Sequence, residues 1–224
     1  MMLIATTAAA LFATIAFAAA GPAPSAAIPP ITIDVTAAGE LSAQLASRVL
    51  AETQAIWRAA GVGIVWRRAP RAAVPYEQAG DTGPYASNAL RLIIGNNPGT
   101  ASSTRRPLGW IVFDDVTGPQ REIYLSYANA LALMVEARGV VGLMDQMPLA
   151  QRETLLGRAM GRALAHELGH YLLASKAHTD RGLMKAVLTA VEMFAPDASG
   201  FRIDSAQRRA VAARLLGEPI VASR

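Results

Sequence analysis

The sequence predicts a single α+β domain: a mixed, twisted five-stranded sheet packed on helices, followed by a mainly helical C-terminal part. Three observations carry that prediction. Five short segments of apolar or alternating character lie before residue 128. One long stretch of helix formers, residues 149–174, follows them. The chain has 224 residues, no internal repeat and no composition break, which suits one core of ordinary size.

Ile31 to Val35 alternates apolar and polar residues and reads as the first strand. Glu40 to Ala60 reads as an amphipathic helix with Leu41, Leu45, Val49, Leu50 and Ile56 or Trp57 on its buried side, ended by Gly61 and Gly63. Val62 to Trp66 is the second strand. Residues 68–88 carry Pro70, Pro75, Gly80, Gly83 and Pro84 and read as a loop. Leu90 to Ile94 is the third strand, and Asn96 to Pro107 a polar loop. Gly109 to Phe113 and Ile123 to Tyr127 are the fourth and fifth strands, and Ala128 to Arg138 a short helix.

The long helix follows, with Pro148 suited to its first turn. Leu155, Leu156, Met160, Ala163, Leu164, Leu168 and Leu172 recur at helical spacing and form the buried stripe. Gly157, Gly161, Ala165 and Gly169 form a ridge of small residues that lets a neighbouring helix come close. Arg158, Arg162, His166 and His170 make a third row, expected to face a cleft. A helix over Lys185–Phe194 and a last one over Asp204–Leu216 complete the chain.

The chain's chemistry concentrates in that third row. There are three histidines, all within thirteen residues: His166, His170 and His178. His166 and His170 lie four apart, so on a helix both imidazoles project from one face and can grip one metal ion. Glu167 lies between them, where a carboxylate can take a proton from a metal-bound water. This H-E-x-x-H spacing supplies two zinc ligands and a general base. A catalytic zinc site takes three protein ligands and leaves the fourth position for water. His178 is the first candidate for the third ligand, Asp180 the second, and Glu192 the third. Arg162, one turn before His166, is expected in a surface salt bridge, or else beside Glu167 or a substrate carboxylate. Tyr171 is expected to pack away from the ligand face.

Here the sequence resembles the metzincin superfamily of zinc peptidases, whose pattern is H-E-x-x-H-x-x-G-x-x-H followed by a methionine turn. The resemblance rests on His166, Glu167, Leu168, Gly169 and His170, with Gly182, Leu183 and Met184 similar to the methionine turn. Two positions depart from the pattern. Leu173 stands where the family has glycine, and His178 arrives two residues late, so the helix is expected to run about half a turn longer before reversing. The order of strands and helices over residues 31–195 is similar to the upper half of a metzincin catalytic domain. The resemblance implies a zincin fold, one catalytic zinc held by His166, His170 and His178, and Glu167 as general base. It also implies a peptide or protein substrate, laid along an edge strand supplied by Gly109–Phe113 or Ile123–Tyr127.

Residues 3–20 form an apolar run and Ala18 to Ala20 precede Gly21, which reads as a secretory signal peptide over 1–20. No lysine or arginine precedes the run, so a retained membrane anchor is the other reading. A Pro/Ala-rich linker over 21–30 then leads into one catalytic domain, 31–224. The chain has no cysteine, which excludes disulfides, thiolate ligands and a cysteine-based latency switch. Its net charge of +4 comes from nineteen arginines and two lysines spread along the chain. Without a nucleic-acid motif, a solvated surface is the expected reading and no nucleic-acid partner follows. The expectation is a secreted or periplasmic zinc endopeptidase. A non-catalytic zinc-binding module and a membrane-anchored protein with an incidental motif are the alternatives.

Overall fold

The computed structural model describes residues 28–68, 89–97, 99 and 106–217. The expected signal peptide, most of the linker and the loop over 68–88, apart from its first residue, lie outside the described residues.

Strands β1 (Ile31–Ala37), β2 (Ile64–Arg68), β3 (Leu90–Gly95), β4 (Gly109–Asp114) and β5 (Gly118–Ser126) form one sheet in the order β2-β1-β3-β5-β4. The first four positions in that order are parallel, and β4 closes the sheet as an antiparallel edge strand. Parallel neighbours need a crossover, and α1 (Ala43–Ala59) supplies it between β1 and β2. The sheet is therefore mixed and five-stranded, as expected. Among the described residues β2 and β4 lie at the two edges, while β5 is paired on both sides. The segment Ile123–Tyr127 is thus not a free edge.

Both ends of β5 differ from expectation for local reasons. β5 begins earlier, because a tight turn couples it to β4: the Asp114 carboxylate accepts from Val116 N and Thr117 N, and Gly118 takes φ 83°. It also ends before Tyr127. Ser126 Oγ accepts from Asn129 N at 3.1 Å, capping α2 (Tyr127–Glu136), so Tyr127 starts a helix.

After α3 (Arg138–Val141) comes α4 (Leu149–Leu173), a helix of 25 residues. Its small-residue ridge meets α1 as expected. A Cβ on Gly157 would lie 2.6 Å from Arg48 Cβ, and one on Gly161 would lie 2.6 Å from Glu52 Cβ and 2.8 Å from Val49 O. The contact also carries hydrogen bonds: Thr53 Oγ1 donates to Gly161 O at 2.9 Å and Trp57 Nε1 to Ala165 O at 3.2 Å. The core joins the buried sheet residues Ile33, Leu92, Ile94, Ile123 and Leu125 to Val49 and Trp57 of α1 and Leu164 and Leu168 of α4. The chain then runs through a short α5 (Ala190–Phe194) into α6 (Ser205–Leu216). The helix expected from Lys185 starts at Ala190 instead, because a capping box between Thr189 and Glu192 sets its first turn. No described helix is long and apolar enough to cross a membrane.

Candidate metal centre

Helix α4 lies under the edge strand β4 and carries His166, Glu167 and His170 towards it. The two imidazoles face each other, with Nε2 atoms 3.0 Å apart. Their other nitrogens are taken: His166 Nδ1 pairs with Leu183 O and His170 Nδ1 with Ser175 O, each at 2.7 Å. A carbonyl can only accept, so each Nδ1 carries the proton and each neutral ring presents its Nε2 lone pair. Burial pushes the His166 pKa down to about 4, against the pull of Leu183 O and with the other two histidines adding to the fall. Burial lowers the pKa of His170 as well, opposed by Ser175 O. Near neutral pH, two unprotonated nitrogens thus point at each other. Such a pair repels unless a cation lies between the lone pairs. A carbonyl behind each ring is the arrangement that orients metal-ligating histidines.

His178 completes the group. The ligand atoms of His166, His170 and His178 all lie within 4.8 Å of one another. The His178 ring is exposed, stacked on His166 at 5.3 Å and edge-on to His170 at 4.9 Å. The helix does not gain the extra half turn expected from the spacing: it stops at Leu173, and the loop after it brings His178 back. Helix α4 ends at Leu173, and Ala174 reverses the chain with φ 49° and ψ 40°. Ser175 N then donates to His170 O at 3.2 Å, and Thr179 N to Met184 O at 2.8 Å, which pins the loop bearing His178. Gly182, at φ 81°, lets the next turn pass under Arg202, whose carbonyl accepts from Leu183 N at 3.0 Å. Met184 is buried beneath the centre, against Gly169.

The two reserve ligands are elsewhere. Asp180 is exposed and outside the imidazole group. Glu192 caps α5: it accepts from Thr189 N and Lys185 Nζ, both at 2.7 Å. The Lys185 ammonium and the Thr189 donors hold its carboxyl near 2.

Glu167 is half-buried between His166 and β4. Burial raises its pKa to about 7, and a hydrogen bond from Ile111 N–H of β4 opposes the rise. A Cβ on Gly109 would lie 3.1 Å from Glu167 Cγ, so the strand can approach this closely because residue 109 is glycine. Above the centre runs a cleft of about 870 Å³, lined among others by Ile111, Phe113, Leu133, Ala163, Lys176 and Leu188.

Arg162 is where the sequence expectation fails. It makes no surface salt bridge and does not approach the cleft: its side chain is wholly buried. Its partners are Glu52 and three backbone carbonyls of the chain after Met184. Arg158 likewise donates to Phe194 O. The arginine half of the expected cleft row thus serves packing, while the histidine half lines the cleft. Tyr171 packs as expected, half-buried under the Arg214 guanidinium at 5.4 Å. The Ile111 and Phe113 contributions were not read from the sequence. One is a backbone N–H, and the other is a ring edge against His170 at 6.3 Å. Neither leaves a residue-type signal.

No protein-family model matches the chain, and no curated protein is similar enough to match it. Among solved structures the chain is similar to archaemetzincin from Methanopyrus kandleri, with 14% identity over 84% of this chain and 97% of that one, at a TM-score of 0.48.

Proposed function

We propose that this protein is an exported, zinc-dependent endopeptidase. The observation that carries the reading is the pair of carbonyl-oriented, lone-pair-bearing nitrogens of His166 and His170, with His178 beside them and a half-buried carboxylate one residue along the helix. Three imidazole ligands suit zinc, with a fourth position left for water. His166, His170 and His178 would hold one ion. When bound, it supplies Lewis acidity that brings water near ionisation at neutral pH.

Glu167 is the proton carrier. Its carboxylate faces the same cleft, where it can accept a proton and then return it. In this mechanism a Glu167 oxygen takes the proton of the attacking water and delivers it to the leaving amine of the peptide. The Ile111 N–H holds the carboxylate in place through both transfers. Strand β4 is an edge strand among the described residues, and adding an extended peptide to it would lay the scissile bond over the centre. Substrates are therefore peptides or unfolded segments of proteins. Export rests on residues 1–20: cleaved, they leave the domain secreted or periplasmic, and retained, they anchor it to a membrane.

A peptide-library digestion tests this reading. Zinc-loaded protein should cleave internal bonds, chelated protein should not, and Glu167→Ala should bind zinc yet lose at least about 10³-fold in rate. Full activity in Glu167→Ala would exclude the general-base role. A zinc site without hydrolysis in the intact protein would instead favour the binding module.

A further inference from the structure

Three sides of the cleft are regular structure, namely β4, α4 and α2. A fourth is not. Val187, Leu188 and Met193 line the cleft, and the segment that carries them contains only the five-residue α5. A helix that short does not stand alone. Most of its carbonyls lack an intrahelical partner.

Arginines of α4 meet those carbonyls. Arg162 Nη1 donates to Glu192 O at 2.5 Å, and its Nη2 donates to Ala195 O at 2.9 Å and Asp197 O at 2.7 Å. Its Nε donates to Glu52 Oε1 at 2.8 Å, and its guanidinium lies 4.8 Å from the centre of the Phe201 ring. One turn back, Arg158 Nη1 donates to Phe194 O at 3.3 Å. A guanidinium removed from water is costly unless its donors are satisfied. This one is satisfied almost entirely by the backbone of a single loop, which an apolar residue could seal but not hold. Lysine carries its three N–H donors on one nitrogen and cannot span these carbonyls and Glu52 as the guanidinium fork does. The histidine cluster has other anchors: Leu183 O, Ser175 O and the Thr179–Met184 pairing.

We propose that Arg162 is a positioning residue for substrate. By gripping the backbone at Glu192, Ala195 and Asp197, it fixes the wall formed by Val187, Leu188 and Met193. It sets how tightly an extended peptide is held, and leaves metal binding untouched. This role rests on the peptidase reading above.

The test compares Arg162→Lys with the intact protein by hydrogen exchange, zinc content and steady-state kinetics on one cleaved peptide. Exchange over residues 187–198 should speed up at least about tenfold, with β3, β5 and the rest of α4 unchanged. Zinc per chain should stay the same, KM should rise roughly tenfold and kcat should hold within about twofold. Arg158→Gln, which removes a single bond from a half-buried side chain, should give the same pattern more weakly, and it decides the matter if Arg162→Lys does not fold. Unchanged exchange over 187–198 overturns the proposal. So does exchange that rises everywhere together with zinc loss, or a fall in kcat at constant KM. If the intact protein cleaves no peptide, the peptidase reading falls, and the exchange measurement still upholds or overturns the clamp.

Discussion

Met184 fills the space that a side chain on Gly169 would need. A Cβ built on Gly169 would overlap the Met184 sulfur and lie 3.2 Å from its terminal methyl carbon. The same turn supplies Leu183 O to His166 and Met184 O to Thr179, next to His178. Packing beneath the centre and the hydrogen bonds that aim its imidazoles are therefore one unit.

Gly169→Ala should cost about 1–3 kcal/mol through overpacking, and zinc affinity should fall with it as the turn shifts. Urea denaturation and titration against a competing chelator measure the two effects. Gly139→Ala is the control, because a Cβ there meets nothing within 4 Å. A Gly169→Ala protein as stable as the control variant would mean Met184 does not pack there.

The reversal after α4 places a non-glycine residue in left-handed backbone, Ala174 at φ 49°. That conformation costs an L-residue roughly 1–2 kcal/mol, and glycine is the residue helices prefer at this point. Ala174→Gly should therefore stabilise the protein by up to about 1 kcal/mol without changing zinc content. Loss of stability in a thermal melt would contradict the observed turn.

His178 lies at the surface and Asp180 beside it in sequence, yet only His178 joins the imidazole group. Stability and metal binding should therefore separate. His178→Ala should leave chelated protein within about 0.5 kcal/mol of the parent and weaken zinc binding by orders of magnitude. Asp180→Ala should change neither. Isothermal titration with zinc distinguishes the two, and the reverse pattern would reassign the ligand.

Glu167 gives the chelated protein a pH signature. Burial raises its carboxyl pKa from 4.5 to about 7, so folding disfavours the charged form. The penalty is absent below the unfolded value of 4.5, grows as pH rises towards about 7 and is full above that. Glu167→Gln should then be more stable than the parent by at most about 3 kcal/mol at around pH 8, and no more stable at around pH 4. The figure is an upper bound because part of the side chain remains in water. Denaturation at both pH values checks it, and an equal advantage at both would contradict the shift.

Helical spacing alone brought His166 and His170 together, because ligands four apart on one helix need no tertiary information. The close approach of some neighbour was legible in Gly157 and Gly161 for the same reason, but not that the neighbour is α1. His178 was legible only as one of three candidates, since a loop's course after Ala174 depends on bonds to Ser175 and Met184 that spacing does not encode. Arg162 was misread because a helical row shows which residues share a face, not what covers each turn of it. The chain after Met184 covers the arginine end, and the cleft opens at the histidine end. The edge position of β4 was equally out of reach: strand order belongs to the tertiary fold, and both β4 and β5 carry strand-like sequences.

Whether His166, His170 and His178 bind one zinc ion is read by elemental mass spectrometry of the purified protein, stripped with chelator and then given zinc. One zinc per chain is expected in the intact protein and far less in the His170→Ala variant. No retained zinc, or equal zinc in both proteins, would rule out the proposed site.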